Sequence, residues 1–159
     1  MNMSNRLTKI LILLAGMSLA ISCKKDGEEG GCISAADYAG TYVGAYTLNL
    51  GGAPIPDTLD ISVVSGTQDS LSIYSHIMGN YIYAKTQCEK FTLGFSNVSF
   101  SITWADIEEA SGVGNGVYEK DQKRLKPVIK FTGGRAVASG FPTTPLNSSI
   151  SLSGDFVKQ

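Results

Sequence analysis

Between Thr41 and Phe156 the chain runs in short stretches where apolar and polar residues alternate, without the three-and-four spacing of a long amphipathic helix. Side chains of an extended strand point to opposite faces in turn, so a strict alternation marks a strand with one face in a core and one in water. Leu59, Ile61 and Val63 alternate with Thr58, Asp60 and Ser62, and the closing run from Ile150 to Phe156 alternates as strictly. A chain patterned this way folds as antiparallel β structure.

Taken in order, Tyr42, Tyr46, Leu48 and Leu50 share one face of a first strand, with Gly44 between them. The segment Gly51-Gly52-Ala53-Pro54-Ile55-Pro56 breaks it, since proline withholds a donor and glycine permits unusual backbone angles. A second strand covers Thr58 to Val64, and Leu71, Ile73 and Ile77 give a third. Gly79-Asn80 predicts a two-residue hairpin joining a strand that ends at Met78 to one that opens at Tyr81. Further sets follow at Phe91, Leu93 and Phe95, and at Val98, Phe100, Ile102 and Trp104. Asp106 to Ala110 reads as a single helical turn, too short to stand as a helix.

Gly112, Gly114 and Gly116 strip one face of the strand from Val113 to Glu119. Such a face is expected where a bulge, a bend or a close neighbour needs the room. Pro127 predicts an edge or a strand start for the run Leu125 to Phe131. Residues 132 to 148, with Pro142 and Pro145, form the longest stretch without a clear strand. The expected inward set includes Leu59, Ile61, Val63, Phe100, Ile102 and Ile150. Eight or nine short strands with short connections predict an all-β fold, an antiparallel up-and-down barrel, with a two-sheet sandwich as the alternative.

Ahead of the strands, Arg6 and Lys9 precede an apolar run from Leu11 to Ile21, and Lys24 to Gly31 are all polar or glycine. A bilayer crossing needs about 20 apolar residues for roughly 30 Å of hydrocarbon, and this run is shorter. Basic start, apolar middle and small-residue end are the layout of a secretory signal peptide. Ala20-Ile21-Ser22-Cys23 resembles a bacterial lipobox, which implies that Cys23 becomes the lipidated first residue of a mature lipoprotein. Two or more acyl chains hold a protein stably where one does not. The expected organisation is a signal peptide at 1–22, a flexible tether at 23–36 and a barrel domain at 37–159. The charged residues of Lys24 to Glu29 resemble an export signal toward the outer cell surface, and an outer-membrane location, facing periplasm or exterior, is the expectation.

Gly40-Thr41-Tyr42, the glycine-spaced strand at 112–116 and the final Gly154-Asp155-Phe156 resemble the calycin-like and lipocalin-like lipoproteins of Gram-negative bacteria. That resemblance implies a barrel with an open end that takes a small, apolar ligand. Orthodox lipocalins carry Gly-x-Trp at the first strand, where Tyr42 stands here. Their late Arg, which covers the Trp, has no match on the last strand, because Arg135 lies before the long loop.

Thirteen Lys and Arg against fourteen Asp and Glu leave no basic stripe for nucleic acid. With Cys23 assigned to lipid, Cys32 and Cys88 are either a disulfide or two separate thiols. His76 is the only histidine and falls on the face opposite Leu71 and Ile73, which speaks against a catalytic triad or a zinc site. Asp106, Glu108 and Glu109 lack the spacing of a calcium loop, so no metal or cofactor is expected. Asp57-Thr58-Leu59 and Asp69-Ser70-Leu71 resemble the O-glycosylation motif of some Gram-negative bacteria, which implies Thr58 and Ser70 as acceptors.

The expected function is therefore a monomeric, non-enzymatic binding protein, held to the membrane through Cys23. Residues 132 to 148 would form a lid, with Phe141 and Leu146 touching the ligand. The alternative is a surface interaction module with a filled interior, which binds a protein or a glycan through its outer face, with Tyr38, Tyr46, Tyr74, Tyr81 and Tyr83 as the expected contact residues.

Overall fold

The computed structural model describes residues 32–159. The lipobox and Cys23 lie outside the described residues. A short helix α1 (Ala35–Tyr38) leads into β1 (Gly40–Leu48), β2 (Ile55–Val63), β3 (Ser70–Ser75), β4 (Asn80–Gln87), β5 (Lys90–Ile102), β6 (Ala105–Glu119) and β7 (Arg124–Val137). A two-residue β8 (Thr144–Pro145) and the last strand β9 (Ser151–Lys158) complete the chain. Each of β1 to β7 pairs antiparallel with the next, and β9 inserts between β7 and β1. The sheet thus closes into an eight-stranded up-and-down barrel, with β8 as a side strand on β7. Closure leaves no unpaired barrel edge and excludes the two-sheet alternative.

The alternation read from the sequence sets the inward faces. Leu59, Ile61 and Ile150 are buried, while Val63, Phe100 and Ile102 are half-buried and pack against the same core. The glycine face of β6 has a specific cause. Phe91, Leu93 and Phe95 on β5 stand opposite Gly116, Gly114 and Gly112. A Cβ at Gly112 would come within 2.7 Å of the Phe95 ring, and one at Gly116 would collide with Phe91. Two large aromatics and a leucine fill the barrel there because the three facing positions of the neighbouring strand are glycines.

Several elements differ from the sequence reading. β2 begins at Ile55, so Pro54 ends the break and Pro56 already pairs with Ala45. The β3–β4 turn spans His76 to Gly79, and Ser75 pairs with Asn80, so the loop has four residues and not two. Gly79 supplies its left-handed residue, at φ 57°. Pro127 lies inside a strand that pairs on both sides, and within residues 124–130 the pairs to β9 are interrupted at 126 and 127. Asp106 to Ala110 is strand, held between β5 and β7.

Residues 132–137 continue β7 and residues 144–145 return to pair with it, which leaves two shorter loops, 138–143 and 146–150. Residues 32–36, expected in the tether, belong to the fold: Ile33 and Ala35 are buried, and the Asp37 carboxylate accepts both the backbone N–H and the hydroxyl of Ser34. These bonds hold the Asp37 carboxyl below its ordinary range.

One barrel end is closed by this N-terminal segment. Tyr38 and Tyr42 are fully buried, and Tyr38 lies 4.9 Å from the Tyr118 ring and 6.1 Å from Phe91. The Tyr38 hydroxyl donates to the Cys88 carbonyl at 2.7 Å, and Tyr42 donates to the Tyr38 carbonyl at 2.9 Å. Burial pushes the pKa of both phenols far up, so they stay neutral donors. The last strand does carry a cation over the first-strand aromatic: Lys158 Nζ sits 5.8 Å from the Tyr42 ring centroid and donates to the Asp37 carbonyl.

Candidate functional site

At the opposite end, β5, β6 and β7 each lose their alternation at one level. The inward positions on β5 change from 91, 93 and 95 to 98, 100 and 102, across register shifts between Phe95 and Phe100. On β6 they change from even positions at Ala110 and beyond to Ile107 and Ala105. Asn97 and Glu109 take left-handed backbone angles, φ 53° and 52°, and Gly134 on β7 takes φ 111°. Ser111 Oγ accepts the Asn97 N–H at 3.2 Å and Ser99 Oγ accepts the Glu109 N–H at 3.0 Å. An extra residue in a ladder bends the strand and re-aims its side chains. Three such bulges side by side turn the distal halves of β5, β6 and β7 into a separate wall with its own apolar face.

That wall and the barrel mouth enclose a cavity of about 370 Å³. Phe100, Ile102, Ala105, Ile107 and Ala136 line it from beyond the bulges. Leu48, Ile55, Phe131, Ile150 and Leu152 line it from the barrel, and Thr144 is the single polar residue among the lining side chains. At the rim stand Leu50, Trp104 and Phe141, which are 67%, 44% and 75% exposed. Such a void can take an apolar molecule and fix it by shape, because its lining side chains carry no charge and are almost all apolar.

The inward layer beneath is polar. Tyr46 and Asp57 face inward one step below Leu48 and Ile55 and are buried. Asp57 accepts the Ser75 hydroxyl at 2.6 Å and the Ile77 and Thr58 N–H groups at 2.9 and 2.8 Å. Burial nonetheless raises its carboxyl pKa above the ordinary value, outweighing those bonds. Asp57 thereby fixes the four-residue turn that the Gly79-Asn80 signal only located. Burial also drives the Tyr46 phenol far up.

The sequence-derived site residues fall in different places. Phe141 and Leu146 both line the cavity, but Leu146 is buried and its N–H donates to the Gly134 carbonyl, so it is a wall and not part of a mobile tip. Cys32 and Cys88 form a disulfide with Cα atoms 4.6 Å apart. It lies at the closed end, where Cys88 occupies the β4–β5 turn at φ 55°. Thr58 is half-buried in mid-strand, paired with Val43. Ser70 is half-buried at the start of β3, with its hydroxyl on Asp69.

His76 is exposed and its Nε2 lies 2.7 Å from Asp60, which also accepts the Thr41 hydroxyl. The His76 bond, then the Thr41 bond, holds the Asp60 carboxyl below its ordinary range. The carboxylate sits between hydroxyl and imidazole, so the histidine cannot take the threonine proton as a triad base does. This cluster lies on the outer face beside Tyr74 and Tyr81, whose rings are 5.0 Å apart. Among the described residues no group of three metal-ligating side chains exists, and no helix is long and apolar enough to cross a membrane.

The sequence reading missed the cavity wall at Ala105 and Ile107. The signal was present, because the phase change from Phe95 to Val98 announces a bulge, and a bulged strand demands a matching irregularity in its neighbour. The fold defines the class: a closed, eight-stranded, up-and-down antiparallel barrel with an apolar cavity at one end. Compared with protein-family models, curated proteins and solved structures, the chain finds no match in any of the three.

Proposed function

We propose that this protein is a lipid-anchored lipoprotein of the cell envelope that binds a small, uncharged apolar ligand and catalyses no reaction. The observation that carries the reading is the cavity of about 370 Å³, lined by apolar side chains at the open barrel end. An apolar cavity of about 150 Å³ holds benzene, so this one suits a ligand of roughly fifteen heavy atoms. With one polar lining group, selection would rest on size and shape, and any polar group of the ligand would sit in the mouth. The lipobox-like Ala20-Ile21-Ser22-Cys23 supports the anchor.

N-phenyl-1-naphthylamine, uncharged and of about that size, tests the reading. Its fluorescence should rise on titration with the protein, and Ala136→Phe, which places a ring in the void, should weaken binding at least tenfold. Equal binding by both proteins would defeat the cavity as the site. A second reading rests on Tyr81 and Tyr83, which are 55% and 64% exposed on the outer face of β4. Tyrosine is enriched at binding hot spots. If Tyr81→Ala and not Ala136→Phe abolishes ligand capture, that face and a protein or glycan partner take precedence.

A further inference from the structure

The N-terminal segment and the cavity mouth occupy opposite ends of the barrel. Cys32 is bonded to Cys88 in the β4–β5 turn, and Tyr38 donates to the carbonyl of the same residue. Both fix the start of the domain at the closed end. The mouth lies beyond the far ends of β5 and β7, at Trp104 and Phe141. Only nine residue steps separate Cys23 from Cys32, a contour of at most about 32 Å. β5 alone is 13 residues long, which at about 3.3 Å per residue and a barrel tilt near 40° spans at most roughly 33 Å along the axis, its bulges shortening that reach. A tether leaving the closed end would have to run back along most of the barrel, drawn out over much of its contour, to bring the mouth to the bilayer.

We infer that the cavity opens away from the membrane holding the anchor and takes its ligand from the aqueous compartment, not from the anchoring leaflet. This rests on the lipid-anchor reading and makes the exposed Leu50, Trp104 and Phe141 a loading rim turned toward that compartment. An uncharged apolar solute would reach it by diffusion.

Trp104 is the only tryptophan of the chain, so the test needs no foreign label. Lipidated protein is bound to phosphatidylcholine vesicles, recovered by flotation, and compared with and without a doxyl lipid labelled near the headgroup. Trp104 emission should be unchanged by the doxyl lipid and remain as open to aqueous acrylamide as in the soluble form lacking residues 1–23. A double variant, Trp104→Phe with Glu89→Trp at the closed end, should lose most of its emission to the same lipid. Quenching of Trp104 that exceeds that of the tryptophan at position 89 would overturn the inference. Failure to float would overturn it through the anchor, whereas the naphthylamine titration on soluble protein decides the cavity separately.

Discussion

The two ends of the barrel are built from the same strands but to different ends. At the closed end, aromatics interlock, hydroxyls find carbonyls, a disulfide ties the N-terminal segment down, and Lys158 covers Tyr42. At the open end the bulged halves of β5, β6 and β7 stand apart from the barrel and leave apolar surface facing empty space. Close packing stabilises the native state, and voids forfeit dispersion contacts. Stability is therefore concentrated where the glycine face admits Phe91 and Phe95, and the cavity is carried at the other end at a cost in packing. Equivalent substitutions at the two ends should separate these roles.

The largest difference is expected between Phe91→Ala and Phe100→Ala. Phe91 is 2% exposed and fills the space over Gly116, so its truncation should cost about 3–5 kcal/mol. Phe100 is half-buried against the cavity, and its loss should cost about 1–2 kcal/mol. Denaturant midpoints measure both, and equal costs would mean that the open end packs as tightly as the closed one.

Next come two glycines. Gly116→Ala forces a methyl into the Phe91 ring and Lys126 carbonyl and should destabilise by roughly 1–3 kcal/mol. Gly133→Ala, within the bulged stretch of β7, meets nothing within 4 Å and should leave the melting temperature nearly unchanged. A loss at Gly133 similar to that at Gly116 would show that the distal wall is more rigidly packed than its open surroundings indicate.

The smallest effect is a pH dependence from the polar layer between the two ends. Asp57 has a raised folded pKa, so between its ordinary value near 3.8 and that raised value the folded state keeps a proton which the unfolded state releases. Its contribution to stability accordingly falls as pH rises through this window and is level above it. Asp57→Asn keeps an oxygen for the Ile77 and Thr58 N–H groups and removes the charge. Subtracting the variant's unfolding free energy from that of the wild type across pH should show the falling slope, while Asp37 and Asp60, with lowered pKa values, cancel in the subtraction. A flat difference would place the carboxylate in a better solvated site than its burial implies.

Much of the barrel was legible in the residues. The alternation of Leu59, Ile61 and Val63 fixes which side of β2 faces inward, because a strand has only two faces. The bare face at Gly112, Gly114 and Gly116 announces a close neighbour, and Phe91, Leu93 and Phe95 are that neighbour. Local pattern suffices there because each strand's inward set depends on its own sequence. Tertiary structure decided what depends on two segments at once. Asp106 to Ala110 has the composition of a helical turn and became strand because β5 and β7 satisfy its backbone from both sides. The matched bulges at Asn97 on β5, Glu109 on β6 and Thr132 on β7 needed three strands in register before any of them re-aimed a side chain. Cys32 and Cys88 meet, and Lys158 reaches Tyr42, only once the barrel has closed. The cavity itself has no residue that encodes it: it is the space left when a bent wall and a barrel mouth, each apolar for its own local reason, come to face one another.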